Sequence, residues 1–501
     1  MPRMPIRPVL FTALAAMHLL GCKVYDPLYC DNEKRCDDPA RPFCDMDGIY
    51  PGSEGIKRTC IADPNIGVDG ATPLADASSG EAGIDASGPR RIVQVSAGSS
   101  HTCVVLNDGG LRCWGRSEAL GYPSTESIGD DEHPYEAGDV PTAGKIRQVS
   151  AGNDFTCALY ETGNIRCWGD NFFGELGYGH SDDLTGPKNT PDMLPDVEVG
   201  GPVMQIVTGF FHTCALLESG DVRCWGGNTD YQLATGDRES IGDNEVPGSR
   251  SPVALGGTAL AISAGGYHTC ALMEGGFVRC WGSLESTSGV GPLGYGGIEP
   301  VGDDETPASE GNIDIGGSAV AISTGREHVC ALLSGGRVRC WGRGARPGGC
   351  GAALGYQEEQ DIGDDETPAS AGNVDVGGEV AELVSAATAR CARLTSGAVR
   401  CWGASSQGSS GPCVNSGVLG HGNDQPIGDD ETPASAGDLR LGGVATRLSD
   451  GGSYEHVCAL LDDGGLRCWG RNVYGQLGLG HTNPIGDDEE PADVDPVRVL
   501  E

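Results

Sequence analysis

Cationic side chains are scarce in this chain. Lys and Arg number 33 against 71 Asp and Glu, a formal net charge of −38. Phosphate backbones and anionic lipid surfaces are gripped by basic faces, so nucleic acid is excluded as a partner and charge supplies no membrane attraction. Long apolar runs are missing as well. The one clear run, Val9 to Leu20, has 12 residues and is too short to span a bilayer in the usual way. No later segment reads as transmembrane. Local catalytic signatures are also lacking: there is no His-Glu-x-x-His, no Gly-x-Ser-x-Gly and no phosphate-binding Gly-x4-Gly-Lys-Ser/Thr.

Glycine and cysteine, by contrast, are plentiful, and the cysteines are ordered. The segment Cys-x9-Cys-Trp-Gly occurs seven times, starting at Cys103, Cys157, Cys214, Cys270, Cys330, Cys391 and Cys458. It takes up all seven tryptophans of the chain, from Trp114 to Trp469, at intervals of 54 to 67 residues. One unit repeated this often implies stacked supersecondary units, because a single unit cannot bury its own apolar face. The copy at Ile206 to Gly226 shows the grammar: Ile-Val-Thr-Gly, Phe-Phe-His-Thr-Cys-Ala-Leu-Leu, Glu-Ser-Gly, Asp-Val-Arg-Cys-Trp-Gly. Short apolar runs alternate with Gly turns, and none reaches the length of about ten residues that a typical helix needs. Three strands are visible, and a fourth short one follows the long variable segment, as at Asp314-Ile315 or Val374 to Val376. Four strands per unit make the blade of a β-propeller. The fold expected is all-β, a seven-bladed propeller of four-stranded blades with a small disulfide-rich N-terminal segment.

The two cysteines of each unit flank a tight hairpin and face each other. Opposed residues in a non-hydrogen-bonded antiparallel pair lie about 4.5 Å apart at Cα, within the disulfide range of about 4.4–6.8 Å. The expected straps are Cys103–Cys113, Cys157–Cys167, Cys214–Cys224, Cys270–Cys280, Cys330–Cys340, Cys391–Cys401 and Cys458–Cys468. Cys350 and Cys413 lie outside the pattern, in loops of consecutive units, and are expected to bridge neighbouring blades.

Arg3, Arg7, the apolar run and Leu19-Leu20-Gly21-Cys22 resemble the signal peptide and lipobox of bacterial lipoproteins. The resemblance implies cleavage before Cys22 and lipid attachment to it. Lys23 after the cysteine points to the outer membrane or cell surface rather than the inner membrane. Export makes the remaining 20 cysteines disulfide candidates. The organisation expected is a signal peptide at 1–21, a lipid-anchored Cys-rich segment at 22–62, a flexible acidic linker at 63–89 and the repeats at 90–501. Cys30, Cys36, Cys44 and Cys60 allow three pairings, and the sequence does not choose among them. The linker has a mean reach of about 30 Å.

The string His-Thr-Cys-Ala-Leu, Gly-x-Val-Arg-Cys-Trp-Gly, Asn-x-x-Gly-Gln-Leu-Gly resembles the regulator of chromosome condensation repeat. The last copy is fullest, from His456 through Arg467-Cys468-Trp469-Gly470 and Asn472 to Gly475-Gln476-Leu477-Gly478. The resemblance covers the whole repeat region and implies a seven-bladed propeller. It also implies a ring closed by strands from both ends, with Pro496 to Leu500 beside the blade that begins near Ile92. The functions of that family diverge, and its nucleotide exchange and chromatin binding do not suit an anchored acidic protein.

Six units carry Ile/Val-Gly-Asp-Asp/Asn-Glu-x-Pro or its close variant. These give Asp130, Asp131 and Glu132; Asp243 and Glu245; Asp303, Asp304 and Glu305; Asp364, Asp365 and Glu366; Asp429, Asp430 and Glu431; Asp487, Asp488 and Glu489. Equivalent blades place them at equivalent radii, a ring of acidic loops for a basic protein or for Ca²⁺. Calcium takes about 6–8 oxygens, so one run needs help from backbone or water. The plainer alternative is a Gly-Asp turn whose carboxylates accept local N–H groups before Pro restarts a strand. His101, His212, His268, His328 and His456 read as one structural hydrogen bond per blade, and the arginine before each second cysteine as a stacked or paired group. The function expected is a monomeric, non-enzymatic protein-binding scaffold with no resident cofactor, calcium being the candidate. The alternatives are a polysaccharide lyase or hydrolase on the axial face, or a structural envelope component.

Overall fold

The computed structural model describes residues 88–284, 293–344, 354–358, 360–404, 416–423, 425–450 and 455–500, and the backbone of two short strands nearer the N-terminus. The chain divides into residues 1–72 and 73–501. In the first unit Phe43–Asp45 pairs antiparallel with Thr59–Ile61, with Cys44 opposite Cys60. Cys22, Cys30, Cys36, Cys350, Cys413 and most of the expected linker lie outside the described residues.

The second unit holds seven three-stranded antiparallel sheets. The first blade is Ile92–Ala97, His101–Leu106 and Leu111–Gly115. The same three strands recur from Ile146, Val203, Ala259, Ala319, Val380 and Ala445. The middle strand is buried at every position in the first five blades. That is why it reads Cys-Ala-Leu-Leu or Cys-Val-Val-Leu rather than alternating: both of its faces pack against protein. The hairpin to the third strand turns on a left-handed glycine, as at Gly220 with φ 84°, where other residues are strained. Its register sets Cys214 opposite Cys224 and Thr213 opposite Trp225. All seven straps form as the spacing implies, with Cα atoms 4.0–4.1 Å apart.

Each tryptophan is wholly buried, and each joins two blades. The indole N–H donates to a carbonyl in the loop that leaves the preceding blade. Trp168 reaches Ala119 O at 2.9 Å, Trp225 reaches Glu175 O at 2.8 Å, and Trp114 reaches Gln476 O of the last blade at 2.9 Å. Gly121 and Gly177 lie under these rings, where an added Cβ would come within 2.7 Å of the indole nitrogen. Trp225→Phe keeps most of the buried ring and removes one of two donors to the Glu175 carbonyl, which Thr213 Oγ1 still reaches at 3.0 Å. The expected cost is about 1–2 kcal/mol, read as a lower midpoint in denaturant at unchanged slope.

Glutamines clamp the first strands of neighbouring blades. Gln148 donates to Ile206 O at 3.0 Å and accepts from Ile206 N at 2.9 Å. Gln94 does the same with Val149, and Gln205 with Ile262. The seventh blade meets the first through Ala97 N to Asp450 O at 2.8 Å, and through His456 Nε2 to Thr102 Oγ1 at 2.7 Å. The array is therefore a ring.

Two expectations need correction. The fourth strand is not a regular strand. In each blade one backbone bond holds it, such as Val140 N to Leu111 O or Val374 N to Val338 O, both 2.8–3.0 Å. Two residues on, the chain bonds back to itself at Leu255 N to Val253 O and Val376 N to Val374 O, a γ-type turn that leads it out of the sheet. The sequence also points to Pro496 to Leu500 as a strand of the first blade. Val497 N instead donates to Leu466 O of the seventh. The tail touches the first blade beyond that point, through Tyr135 N to Arg498 O at 3.1 Å.

Candidate functional site: an acidic rim

The acidic loops begin where the third strand ends. Ile128, Ile241, Val301, Ile362, Ile427 and Ile485 each bridge back to the glycine of a Trp-Gly pair, which fixes the following carboxylates at one place in each blade. Leu184 makes the same bridge in the second blade, but there Asp182-Asp183 precede the bridging residue and no acidic motif follows it. The glycine after the isoleucine or valine is left-handed, with φ between 98° and 107° in all six loops. It lies against the exit loop of the preceding blade: Gly129 against Gly475, Gly242 against Gly174 and Gly486 against Gly417. Acidic loops and exit-loop tips therefore alternate around the rim.

In five blades the three carboxylates each bring an oxygen within 4.8 Å of the others. The middle residue, such as Asp131 or Asp304, is exposed, and its neighbours are half-buried. Burial, with a hydrogen bond to an adjacent Asp carboxyl, pushes Glu132, Glu305, Glu431 and Glu489 up to about 7. Glu366 is raised for the same reasons. In the third blade Asn244 breaks the run, and Glu245 pairs with Arg250 at 2.6 Å. Local N–H groups use part of each loop, as in Gly302 N to Glu305 Oε1 at 3.0 Å and Gly363 N to Glu366 Oε1 at 3.1 Å. The following proline opens a helical turn, Pro134–Ala137, Pro307–Glu310 or Pro433–Ala436, not a strand. The middle carboxylates are exposed, each sharing a hydrogen bond with its neighbouring Glu, and each run alone supplies three of the roughly six to eight oxygens that calcium takes.

The histidines are structural. His101 Nε2 bonds Thr156 Oγ1 of the next blade at 2.8 Å, His212 bonds Thr269 at 2.8 Å, and His456 bonds Thr102. The bond crosses between blades rather than staying within one. Where the next blade has Val329, His268 Nε2 finds no partner. Burial pushes His101, His212, His268 and His456 down to about 3, and His328 well down.

These shifts set a pH dependence. An unfolded histidine takes a proton below about 6.5, and the folded ones refuse it until about 3, so stability is lost as pH falls through that window. The rim glutamates act oppositely: from about 4.5 to 7 the folded state holds more protons, so stability falls as pH rises. The histidines are fully buried and the glutamates largely solvated, so the histidines dominate. Melting temperature is expected to climb from about pH 3 to 6.5 and then flatten. Melts across this range check it, and a falling curve contradicts it.

The arginines before the second cysteine cap carbonyls of the long segments. Arg339 Nη1 reaches Ile315 O at 3.0 Å and Ala369 O at 2.9 Å, and Arg467 Nη1 reaches Pro491 O at 3.0 Å. Carboxylate pairing occurs at Arg112, Arg166 and Arg400, with Asp139, Asp196 and Asp438. Leu-Gly-Tyr, repeated four times and absent from the sequence reading, is a further device. Tyr178 OH donates to Cys167 O at 3.2 Å and accepts Cys167 N at 3.1 Å, and Tyr295 and Tyr356 treat Cys280 and Cys340 alike. Among the described residues no helix is long and apolar enough to cross a membrane.

This geometry defines a disulfide-strapped propeller whose seven blades share one inter-blade bond, from the tryptophan to the preceding exit loop. The model of the regulator of chromosome condensation (RCC1) repeat matches residues 92–119, 146–175, 203–232, 260–289, 319–346 and 452–476, and a second model of that repeat matches 219–272. The chain belongs to the RCC1-repeat family. The ultraviolet-B receptor UVR8 of Arabidopsis thaliana is 33% identical over 198 residues, 39% of this chain and 42% of the receptor. The chain thus spans less than half of that relative. Human WBSCR16 superposes with a TM-score of 0.53 at 15% identity, over 72% of this chain and 85% of that one. Yeast RCC1 (Prp20), in its crystal structure with Kap60, gives 0.51 at 16% identity, over 87% and 91%. These likenesses establish the fold.

Proposed function

We propose that this protein is an exported, lipid-anchored binding propeller that holds a basic protein partner on its acidic rim. The observation that carries the reading is the identical placement of the Gly-Asp-Asp/Asn-Glu loop in six of seven blades, beside the exit-loop tips. A ring of like charge on a rigid frame concentrates cationic partners and raises association rates. The net charge of −38 adds to it. Yeast Prp20, solved with Kap60, shows this fold in a protein complex. The lipobox at Leu19 to Cys22 supports the anchor, with the outer membrane or cell surface as its place. A second reading rests on the five carboxylate triplets: divalent cations on the same loops.

The test is affinity capture from envelope and secreted material with oxidised residues 90–501 as bait, with Ca²⁺ and with chelator. A control bait carries Asn and Gln at the six motifs. A partner retained by the bait and lost on the control supports the rim. Loss with chelator alone favours the cation reading. No partner under any condition overturns the binding role.

A further inference from the structure

Four of the eight phenylalanines of the chain meet on one sector of the ring. Phe172 and Phe173 come from the exit loop of the second blade, and Phe210 and Phe211 from the first turn of the third. Their rings form a continuous set. Phe172 lies 4.8 Å from Phe173, Phe173 lies 5.3 Å from Phe211, and Phe210 lies 5.4 Å from Tyr267 of the fourth blade. Gly227 sits under Phe173 and Phe211, where an added Cβ would come within 3.4 Å of both. Phe172 is 77% exposed. An exposed aromatic cluster of this kind, in a chain so rich in acid, asks for a partner.

Charge says which partner. The loop that carries Phe172 also carries Asp170 and Asp183, and Asp170 N donates to Asp154 O at 3.0 Å, which brings Asp154 alongside. Burial, then repulsion from Asp154 and Asp183, pushes Asp170 up to about 6. Gly174, next to Phe173, packs on the backbone of Asp243 at the start of the third blade's acidic loop. The nearby cations are engaged: Arg116 with Glu118 and Asp154, and Arg250 with Glu245. The same sector already seats one guanidinium on an aromatic face, Arg326 at 5.2 Å over Phe210.

We propose that the rings of Phe172, Phe173 and Phe211, with Asp170 beside them, are the docking site for an arginine side chain of the basic partner. The inference rests on the binding reading above and assigns it an anchor. The guanidinium stacks on the rings, where the quadrupole favours it, and its N–H groups pair with the carboxylate. Carboxylates alone would hold lysine as well; the aromatic faces favour arginine, whose plane stacks.

The probe is a fluorescein-labelled peptide of alternating Arg and Gly, titrated by anisotropy against the full oxidised chain, with its Lys counterpart. Arginine is expected to bind at least about threefold more tightly than lysine. Phe172→Ser, at an exposed position, is expected to weaken the arginine peptide at least about threefold, and adding Asp170→Asn to bring the loss to about tenfold. Asn and Gln at the fifth- to seventh-blade acidic loops are expected to change it less than about twofold, because screening ends their reach. Wild-type affinity in the double variant overturns the docking site, as does equal binding of the two peptides or no binding at all. A captured partner lost on the amidated rim but kept by the double variant leaves the binding function standing and removes this anchor.

Discussion

Refolded under reducing conditions, residues 90–501 are expected to stay unfolded. Each strap closes a loop of about ten residues and contributes roughly 2–3 kcal/mol by restricting the unfolded chain. Seven of them together exceed the roughly 5–15 kcal/mol that separates a typical domain from its unfolded state. All fourteen half-cystines are buried at the centre of their blades, so without the bonds only the apolar contacts and blade clamps remain. Circular dichroism after refolding with and without dithiothreitol reads the outcome. Replacing Cys214 and Cys224 together with alanine isolates one strap, with an expected loss of about 2–3 kcal/mol. A reduced chain that folds and melts like the oxidised one would show that packing alone carries the ring.

The second large effect has the opposite sign. Arg390→Thr is expected to stabilise the protein by about 2–4 kcal/mol. Arg390 is wholly buried, and its Nε and Nη2 have no hydrogen-bond partner among the described residues. One bond remains, from Nη1 to Thr388 O at 3.1 Å. Burial pulls the guanidinium well below its usual range, and no carboxylate opposes that pull. Four other blades place Thr102, Thr156, Thr213 and Thr269 in this slot, and it is the blade five neighbour, His328, that lacks a hydroxyl at Nε2. Threonine at 390 removes an unpaired charge and offers His328 the bond that His101 and His212 have. The family model passes over this blade, where Ala389 and Arg390 depart from the repeat. The midpoint in urea measures the change, and a destabilised variant would mean that a counter-charge holds the guanidinium.

Blade number, strand pairing and strap connectivity were legible because they are written locally. Cys-x9-Cys-Trp-Gly spans one hairpin, and the hairpin's register follows from its length. What crosses between blades was not legible. Gln148 and Ile206 are 58 residues apart and meet only when the ring packs first strands side by side. Phe173 and Phe211 are joined in the same way. The histidines read as structural, but the partners of His101, His212 and His456 lie on the next blade, which no single repeat reveals. The fourth strand misled because Val374-Asp375-Val376 has strand composition, yet Val376 bonds back to Val374 and leaves the sheet. Leu-Gly-Tyr could have been found by scanning the repeats past Trp-Gly, since it recurs four times, although its leucine stands anywhere from 6 to 13 residues after the tryptophan.

The acidic rim is the centre of the functional account, and its most direct measurement is the association rate of the captured partner against ionic strength. Long-range attraction by a charged ring is screened as salt shortens the Debye length from about 30 Å at 0.01 M to about 3 Å at 1 M. The rate is expected to fall at least about tenfold across that range for the wild-type propeller, and to be slow and nearly salt-independent once the six loops carry Asn and Gln. Equal rates for the two proteins at every salt concentration would contradict it.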